Sequence, residues 1–230
     1  MKFKQDFFII GTDTDVGKTY VSSLLYNRLL EQNYFYFKPV QSGCYQDKKY
    51  STLIAPDVKS ICDFSSLEYD KDMVCYSLKE EVSPHLAAEK ENIEINIEKI
   101  INHYKKLKDK YSNLIVEGAG GLHVPLLRSK EKKLYIFDLI KRLNLPVILV
   151  CSTRVGSINH SILTINSLKS MGIKIQGLVF NNYKSNFYEN DNIKIILEDS
   201  EIKNYIIIKN GQKKLEDEDL EKLLGGNENE

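Results

Sequence analysis

The sequence predicts one α/β domain whose mainly parallel β-sheet is flanked by helices on both faces. Three observations predict it. Short apolar runs alternate along the chain with longer segments of helical period. The runs are apolar at every position, as in PVILV at 146–150, which is the pattern of strands covered on both sides. The first run, FFII at 7–10, leads directly into GTDTDVGKT at 11–19 and then into a helix.

The elements follow in order. Phe7–Ile10 reads as a strand, and 18–31 as a helix with Val21, Leu24, Leu25 and Leu29 on one side. Tyr34–Phe37 (YFYF) is a second strand. Residues 39–52 read as a loop, because Pro39, Ser42, Gly43 and a polar run interrupt any period. Leu53–Cys62 reads as a short helix, and 63–92 gives no clear period. Ile97, Ile100, Ile101, Tyr104, Leu107 and Tyr111 recur at threes and fours, an amphipathic helix. Leu114–Glu117 (LIVE) is a strand ending in the turn Gly118-Ala119-Gly120-Gly121. A helix over 135–143, the strand 146–150 and a helix over 157–171 closed by Gly172 come next. Ile173–Phe180 is a strand interrupted by Gly177, and Tyr205–Ile208 reads as a last strand.

Composition sets limits on function. The chain has 230 residues, and no Pro-, Gly- or Ser-rich linker divides it. One domain is therefore expected over 1–224, with 225–230 as a frayed tail. Lys+Arg is 32 and Asp+Glu is 32, so the formal charge is zero, which argues against a general nucleic-acid binder. A hydrophobic content of 42% excludes a wholly disordered chain. No apolar run reaches the roughly 18 residues of a membrane span, and the first run is too short for a secretory signal. A cytoplasmic protein with no membrane partner is the expectation. Cys44, Cys62, Cys75 and Cys151 show no CxxC spacing and read as reduced thiols.

The sharpest signal is GTDTDVGKT. Successive backbone N–H groups entering a helix N-terminus make a nest for phosphate oxygens. Gly17 removes a Cβ from the approach, Lys18 reaches the β- and γ-phosphates, and the Thr19 hydroxyl suits Mg2+. The spacing is a variant: Thr12 stands where G-x-x-x-x-G-K-[ST] has glycine, and Gly11 lies one residue earlier. A Mg2+ site also needs a carboxylate. Glu117 ends an apolar strand beside flexible GAGG backbone and fits that need. From spacing alone Asp57, in Ala55-Pro56-Asp57-Val58, is either a second carboxylate or, more often for Pro-Asp at a helix start, a cap.

Taken together, GTDTDVGKT (11–19), YFKPVQSG (36–43), VSPHLAA (82–88), VEGAGGLHVPL (116–126), PVILV (146–150), GSINH (156–160) and Asn181-Asn182 resemble the dethiobiotin synthetase family of biotin biosynthesis, in order over residues 7–182. The resemblance implies a P-loop α/β homodimer that uses ATP as co-substrate, Mg2+ and CO2 to close a ureido ring on 7,8-diaminopelargonate. It implies that Asp15, Val16, Gly17, Lys18, Thr19 and Tyr20 hold the ATP phosphates, and that Thr19, Asp57 and Glu117 ligate Mg2+. Lys38 maps onto the catalytic lysine, with Lys18 as the second catalytic cation, and Ser42 onto a substrate contact. Gly118, Ala119 and Gly120 lie beside the nucleotide, and Asn181 and Asn182 where the family reads adenine. Gly156, Ser157, Ile158 and Asn159 match the helix start that receives the substrate carboxylate from the neighbouring subunit.

Three departures stand out. Asp15 replaces a frequent Glu, Ile206–Lys209 lacks the proline of a common nucleotide loop, and the chain ends in GGNENE. Cys44 reads as a small buried or loop thiol, and His85 as a loop-shaping or substrate-side residue. Rival readings are weaker. A partitioning-type ATPase needs a lysine where Asp13 stands. A glutamine-dependent amidoligase needs a further domain of roughly 100–200 residues. A non-catalytic nucleotide-binding regulator would not need Lys38, Ser42 and GSINH together.

Overall fold

A computed structural model describes residues 3–225. Its strands and helices in chain order are β1 (Phe7–Gly11), α1 (Lys18–Leu29), β2 (Tyr34–Gln41), β3 (Tyr45–Gln46), β4 (Leu53–Ile54), α2 (Pro56–Phe64), β5 (Val74–Ser77) and α3 (Pro84–Lys90). Then come α4 (Ile97–Lys108), β6 (Asn113–Glu117), β7 (Pro125–Arg128), β8 (Lys133–Tyr135), α5 (Ile136–Leu143) and β9 (Val147–Ser152). The chain finishes with α6 (Ser157–Ser170), β10 (Ile175–Tyr183), α7 (Phe187–Ser200), β11 (Tyr205–Lys209) and α8 (Asp217–Leu224).

Seven strands form the central sheet in the order β11-β10-β9-β1-β6-β2-β5. All of its pairings are parallel. Parallel neighbours need crossovers, and right-handed crossovers fix the face each helix takes. The chain moves one way through α1 and α2 and the other way through α4 to α7. That puts α1 and α2 on one face and α4–α7 on the other, matching the packing of α1 on α2, α4 on α5 and α6 on α7.

The apolar runs are apolar because both faces are covered. Phe7, Phe8, Ile9 and Ile10 are fully buried, and so are Val147–Cys151. Each such large side chain contributes about 1.5–3 kcal/mol of burial. The four aromatics of YFYF all lie in the core. On α4 the buried residues are Ile97, Ile100, Ile101 and Leu107, as the period predicts. Tyr111 falls beyond the helix and stacks on Phe35 with ring centroids 4.1 Å apart.

Several expectations are corrected. Residues 39–41 are not loop: β2 runs on to Gln41. Past Phe37 it has left β6 and pairs only with β5, where a proline's missing N–H is tolerated. The unreadable stretch 63–92 holds β5 and α3. β5 is a four-residue edge strand and α3 has seven residues, both too short to show a period. Leu53–Ile54 is a strand, so the helix of that segment begins at Pro56. The hairpin β7–β8 and the helices α7 and α8 were not legible. α7 and α8 are polar with few buried residues, and both start with capping boxes. Gly172 closes α6 as expected, at φ 67°. α8 packs against β10 and β11, so regular structure reaches Leu224; of the tail expected from 225, residues 226–230 lie outside the described residues.

Candidate active site

β1 sits at the point where the strand order reverses, with β6 on one side and β9 on the other. In an open parallel sheet such a point leaves a crevice beyond the carboxyl ends of the strands. The loop after β1 lies there, and two clefts adjoin it. One, about 750 Å3, is lined by Lys18, Thr19, Lys38, Asp57, Ala119 and Gly120 among others. The second, about 830 Å3, is lined by Val16, Tyr20, Asn181, Asn182 and the 209–213 turn. Thr14, Asp15 and Gly17 line both.

The loop geometry is that of an anion nest. Gly17 takes φ 87°, a left-handed conformation that favours glycine, and α1 begins at Lys18 with no side-chain cap on its first N–H groups. The close approach at Gly17 has a protein cause too. A Cβ there would stand 2.1 Å from Asn181 Nδ2, which donates to the Val16 carbonyl at 2.9 Å. Gly11 has a similar reason: a Cβ would meet Val16 Cγ2 at 2.6 Å and the Asp13 carbonyl at 2.8 Å. The displaced glycine therefore lets the loop fold back on the strand end. Lys18 Nζ donates to the Asp13 carbonyl at 3.3 Å. Burial and the Lys38 ammonium lower its pKa, against the pull of Glu117, Asp57 and Asp15.

Under the loop lies a buried charge cluster. Lys38 is 3% exposed, and its Nζ lies 2.5 Å from Asp57 Oδ2 and 2.8 Å from Glu117 Oε1. It also donates to the Gly118 carbonyl at 3.2 Å. Thr19 Oγ1 donates to Glu117 Oε1 at 2.9 Å, and Tyr36 Oη to Glu117 Oε2 at 3.1 Å. Burial alone would lower the Lys38 pKa, but the two carboxylates raise it above the ordinary lysine value. Burial likewise works against the Asp57 carboxylate, yet Lys38, Thr19 and Lys18 hold its pKa below the usual range. Asp57 makes no side-chain capping bond to α2; its carboxylate is committed to Lys38 instead. The cap alternative is thereby set aside.

The donor set fits a hard divalent cation. Thr19, Asp57 and Glu117 bring a hydroxyl and two carboxylates, all oxygen, beside the phosphate nest. Mg2+ takes one or two carboxylates plus phosphate oxygens rather than an all-protein cage. No group of three or more His, Cys, Asp and Glu gathers for a metal among the described residues.

The expected residues thus converge, with one exception. Ser42 lines the first cleft, and Glu117 with Gly118 lies beneath it through Lys38. Gly156, Ser157, Ile158 and Asn159 line neither cleft of their own chain. They form the start of α6, where Gly156 has φ 91° and the Ser157 Oγ is buried without a hydrogen-bond partner.

Sequence reasoning missed Tyr36, although it shares a strand face with Lys38 at i, i+2. It also missed Gln41 and Glu81 in the first cleft and Arg154, Lys184, Lys209 and Lys213 around the second. Loop cations carry no period to reveal them. Cys44 is buried and donates to the Gln41 carbonyl, as a small buried thiol would; His85, expected in a loop, instead lies in the first turn of α3, its Nδ1 3.1 Å from the Ser83 hydroxyl at the helix cap. His123 pairs with Ser167 on α6 at 3.0 Å.

Comparison with known proteins places this geometry in a family. An AAA domain family model matches residues 5–210. The ATP-dependent dethiobiotin synthetase BioD of Fusobacterium nucleatum is 60% identical over 97% of this chain and 100% of its own length. The enzyme of the same name from Clostridium perfringens strain ATCC 13124 is 44% identical over 83% of this chain and 84% of its own. Among solved structures, a ParA family ATPase from Chlorobium tepidum aligns with TM-score 0.53 at 12% identity, covering 97% of this chain and 90% of that one. The Aquifex aeolicus MinC:MinD complex aligns with TM-score 0.52 at 16% identity, over 91% and 83%. Those likenesses show the fold alone. No helix among the described residues is long and apolar enough to cross a membrane. The chain belongs to the dethiobiotin synthetase family of ATP-dependent ligases, on a P-loop α/β fold.

Proposed function

We propose that this chain converts 7,8-diaminopelargonate, CO2 and ATP to dethiobiotin, ADP and phosphate. The observation that carries the reading is Lys38, a buried ammonium shared by Asp57 and Glu117 directly under the phosphate nest. One substrate amine adds to CO2 and gives a carbamate. A carbamate oxygen attacks the γ-phosphorus, and ADP leaves. The second amine then attacks the carbamoyl carbon of the mixed anhydride; the C–O bond breaks, the ring closes and phosphate departs.

In this reading Asp15–Tyr20 cradle the phosphates, and Lys18 and Lys38 set positive charge where anionic oxygens converge. Thr19, Asp57 and Glu117 would hold Mg2+. When bound, that ion supplies further positive charge to the β- and γ-phosphate oxygens. Gly118–Gly120 border the nucleotide. Asn181 and Asn182 face its base side, and Ser42 the amine substrate. Holding both amines about one carbon makes ring closure effectively unimolecular. No protein nucleophile is needed.

We propose a homodimer as well. Val155 (74% exposed), Leu163 (62%) and Phe187 (90%) stand out on and beside α6 and α7, apolar surface of the kind a second copy covers. The α6 start, which no side chain caps and where the Ser157 hydroxyl has no partner, suits a carboxylate offered across such an interface. A monomer in sedimentation at assay concentration would count against this. Four free cysteines agree with a reducing, cytoplasmic setting.

The chemistry has an isotopic test. With rapidly mixed 18O-labelled CO2, the released phosphate carries one label for each dethiobiotin formed. Unlabelled phosphate accompanying dethiobiotin would remove the anhydride, and no dethiobiotin at all would remove the function.

A further inference from the structure

Two residues of the first cleft have no part in the cluster around Lys38. Gln41 ends β2, three residues after Lys38, and Glu81 lies in the loop between β5 and α3. Both line the cleft that also holds Lys18, Lys38 and Ser42.

Gln41 presents an acceptor with no donor. Its Nε2 donates to the Ser42 carbonyl at 2.9 Å. A carbonyl only accepts, so that bond fixes which end of the amide is nitrogen and leaves Oε1 as the free end. Gln41 Oε1 is buried without a partner, and so is Ser42 Oγ beside it. A buried acceptor left without a donor costs about 1–3 kcal/mol, which a ligand N–H would relieve.

Glu81 is held against this pair by the backbone. The Leu78 N–H donates to the Gln41 carbonyl at 2.8 Å, the Gly43 N–H to the Glu80 carbonyl at 3.0 Å, and the Cys44 N–H to the Leu78 carbonyl at 2.8 Å. The Glu81 stem lies over Gly43, where a Cβ would stand 3.3 Å from Glu81 Cγ. Gly43 has φ 71°, so the turn itself calls for glycine there. Glu81 takes part in no ion pair among the described residues. Asp57 and Glu117, by contrast, are committed to Lys38.

Two kinds of group therefore line one cleft: the ammonium groups of Lys18 and Lys38, and an uncommitted carboxylate with two polar oxygens that have no partner. An anion suits the first kind. A cationic or neutral amine, rich in N–H donors and without negative charge, suits the second. The geometry points to Gln41 and Glu81 as specificity-determining residues that hold the amino groups of the diamine substrate, through the Gln41 amide oxygen and the Glu81 carboxylate. This inference rests on the proposed reaction and names the contacts that select its substrate.

The test is steady-state kinetics of the full chain with Mg-ATP and bicarbonate, varying 7,8-diaminopelargonate. Gln41→Ala is expected to raise the diamine KM about tenfold, the effect of losing one bond to a charged group. Glu81→Gln is expected to raise it about threefold, and Glu81→Lys about tenfold, with the KM for ATP within twofold of wild type. The Glu81→Gln effect should shrink as salt rises from about 0.05 to 0.5 M, because an exposed pair is screened. Melting temperatures near wild type show that the variants fold. Diamine KM values within twofold of wild type in all three variants, or ATP KM values that rise in step, would overturn the assignment while leaving the reaction standing. A wild-type chain that turns over no diamine would remove the reaction and this assignment together.

Discussion

The two clefts that meet at the loop after β1 are built on opposite principles. Toward β6 and β2 the charges under the loop are buried and paired: Lys38 is 3% exposed and Glu117 fully buried, and only at the rim, among the described residues, does Glu81 stand unpaired. Toward β9, β10 and β11 the cations are exposed, and the one buried carboxylate that lines this cleft among the described residues, Glu189, accepts from Thr153 and from backbone N–H groups rather than from a cation. Arg154 is 61% exposed and pairs with Asp13 at 3.2 Å; Lys184, Lys209 and Lys213 rim the same cleft. Charges in a dry site act strongly and break expensively, whereas exposed pairs are worth about 0–1 kcal/mol. That contrast supports the proposed roles, phosphoryl transfer in the first cleft and the rest of the nucleotide in the second.

Substitutions can break or sharpen that contrast. Lys38→Ala should lower kcat about 100- to 1,000-fold while leaving ATP affinity within a few-fold, measured by phosphate release and by titration calorimetry. A wild-type kcat would remove Lys38 from the reaction. Glu117→Gln should move the midpoint of the Mg2+ titration of turnover upward by at least about tenfold. An unchanged curve would take Glu117 out of the metal site.

Gly17→Ala strains a backbone at φ 87° and drives a Cβ into Asn181. At least about 1–2 kcal/mol of stability should be lost, and ATP affinity with it. A variant that melts and binds ATP like wild type would show that the loop relaxes freely. The Asp57 pair gives a pH signature. Its folded pKa lies below the ordinary 3.8, so its stabilisation is complete above that value and is lost as pH falls below it. Asp57→Asn should lack that part of the acid loss of stability; identical acid slopes would contradict the pairing. Smallest of all, Arg154→Ala should change ATP affinity by no more than about threefold. A loss of a hundredfold would make the second cleft the equal of the first.

The same contrast explains what the sequence disclosed. Lys18 and Thr19 start a helix and Glu117 ends a buried strand, where burial and period fix their positions; Lys38, inside β2, was marked only by the family resemblance. LIVE and YFYF could be read because nearly every position in them is core. Spacing alone favoured a cap at Asp57 and only the resemblance made it a ligand; the fold adds the contact with Lys38 by bringing β2 beside α2. The cations of the second cleft were opaque for the opposite reason, although Val16, Tyr20, Asn181 and Asn182 in its lining had been named. Its loops at 153–156, 183–186 and 209–213 bear exposed residues with no period, and α7, beside them, is polar over much of its length. Gln41 was concealed by the expectation that Pro39 ended the strand, whereas one-sided pairing with β5 carries the chain to it.

Phosphate release from Mg-ATP and bicarbonate, with and without 7,8-diaminopelargonate, tests the central claim most directly. The account predicts release only with the diamine, matched by an equal amount of dethiobiotin. ATP binding with no stimulation by the diamine would contradict it and leave only a nucleotide-binding loop.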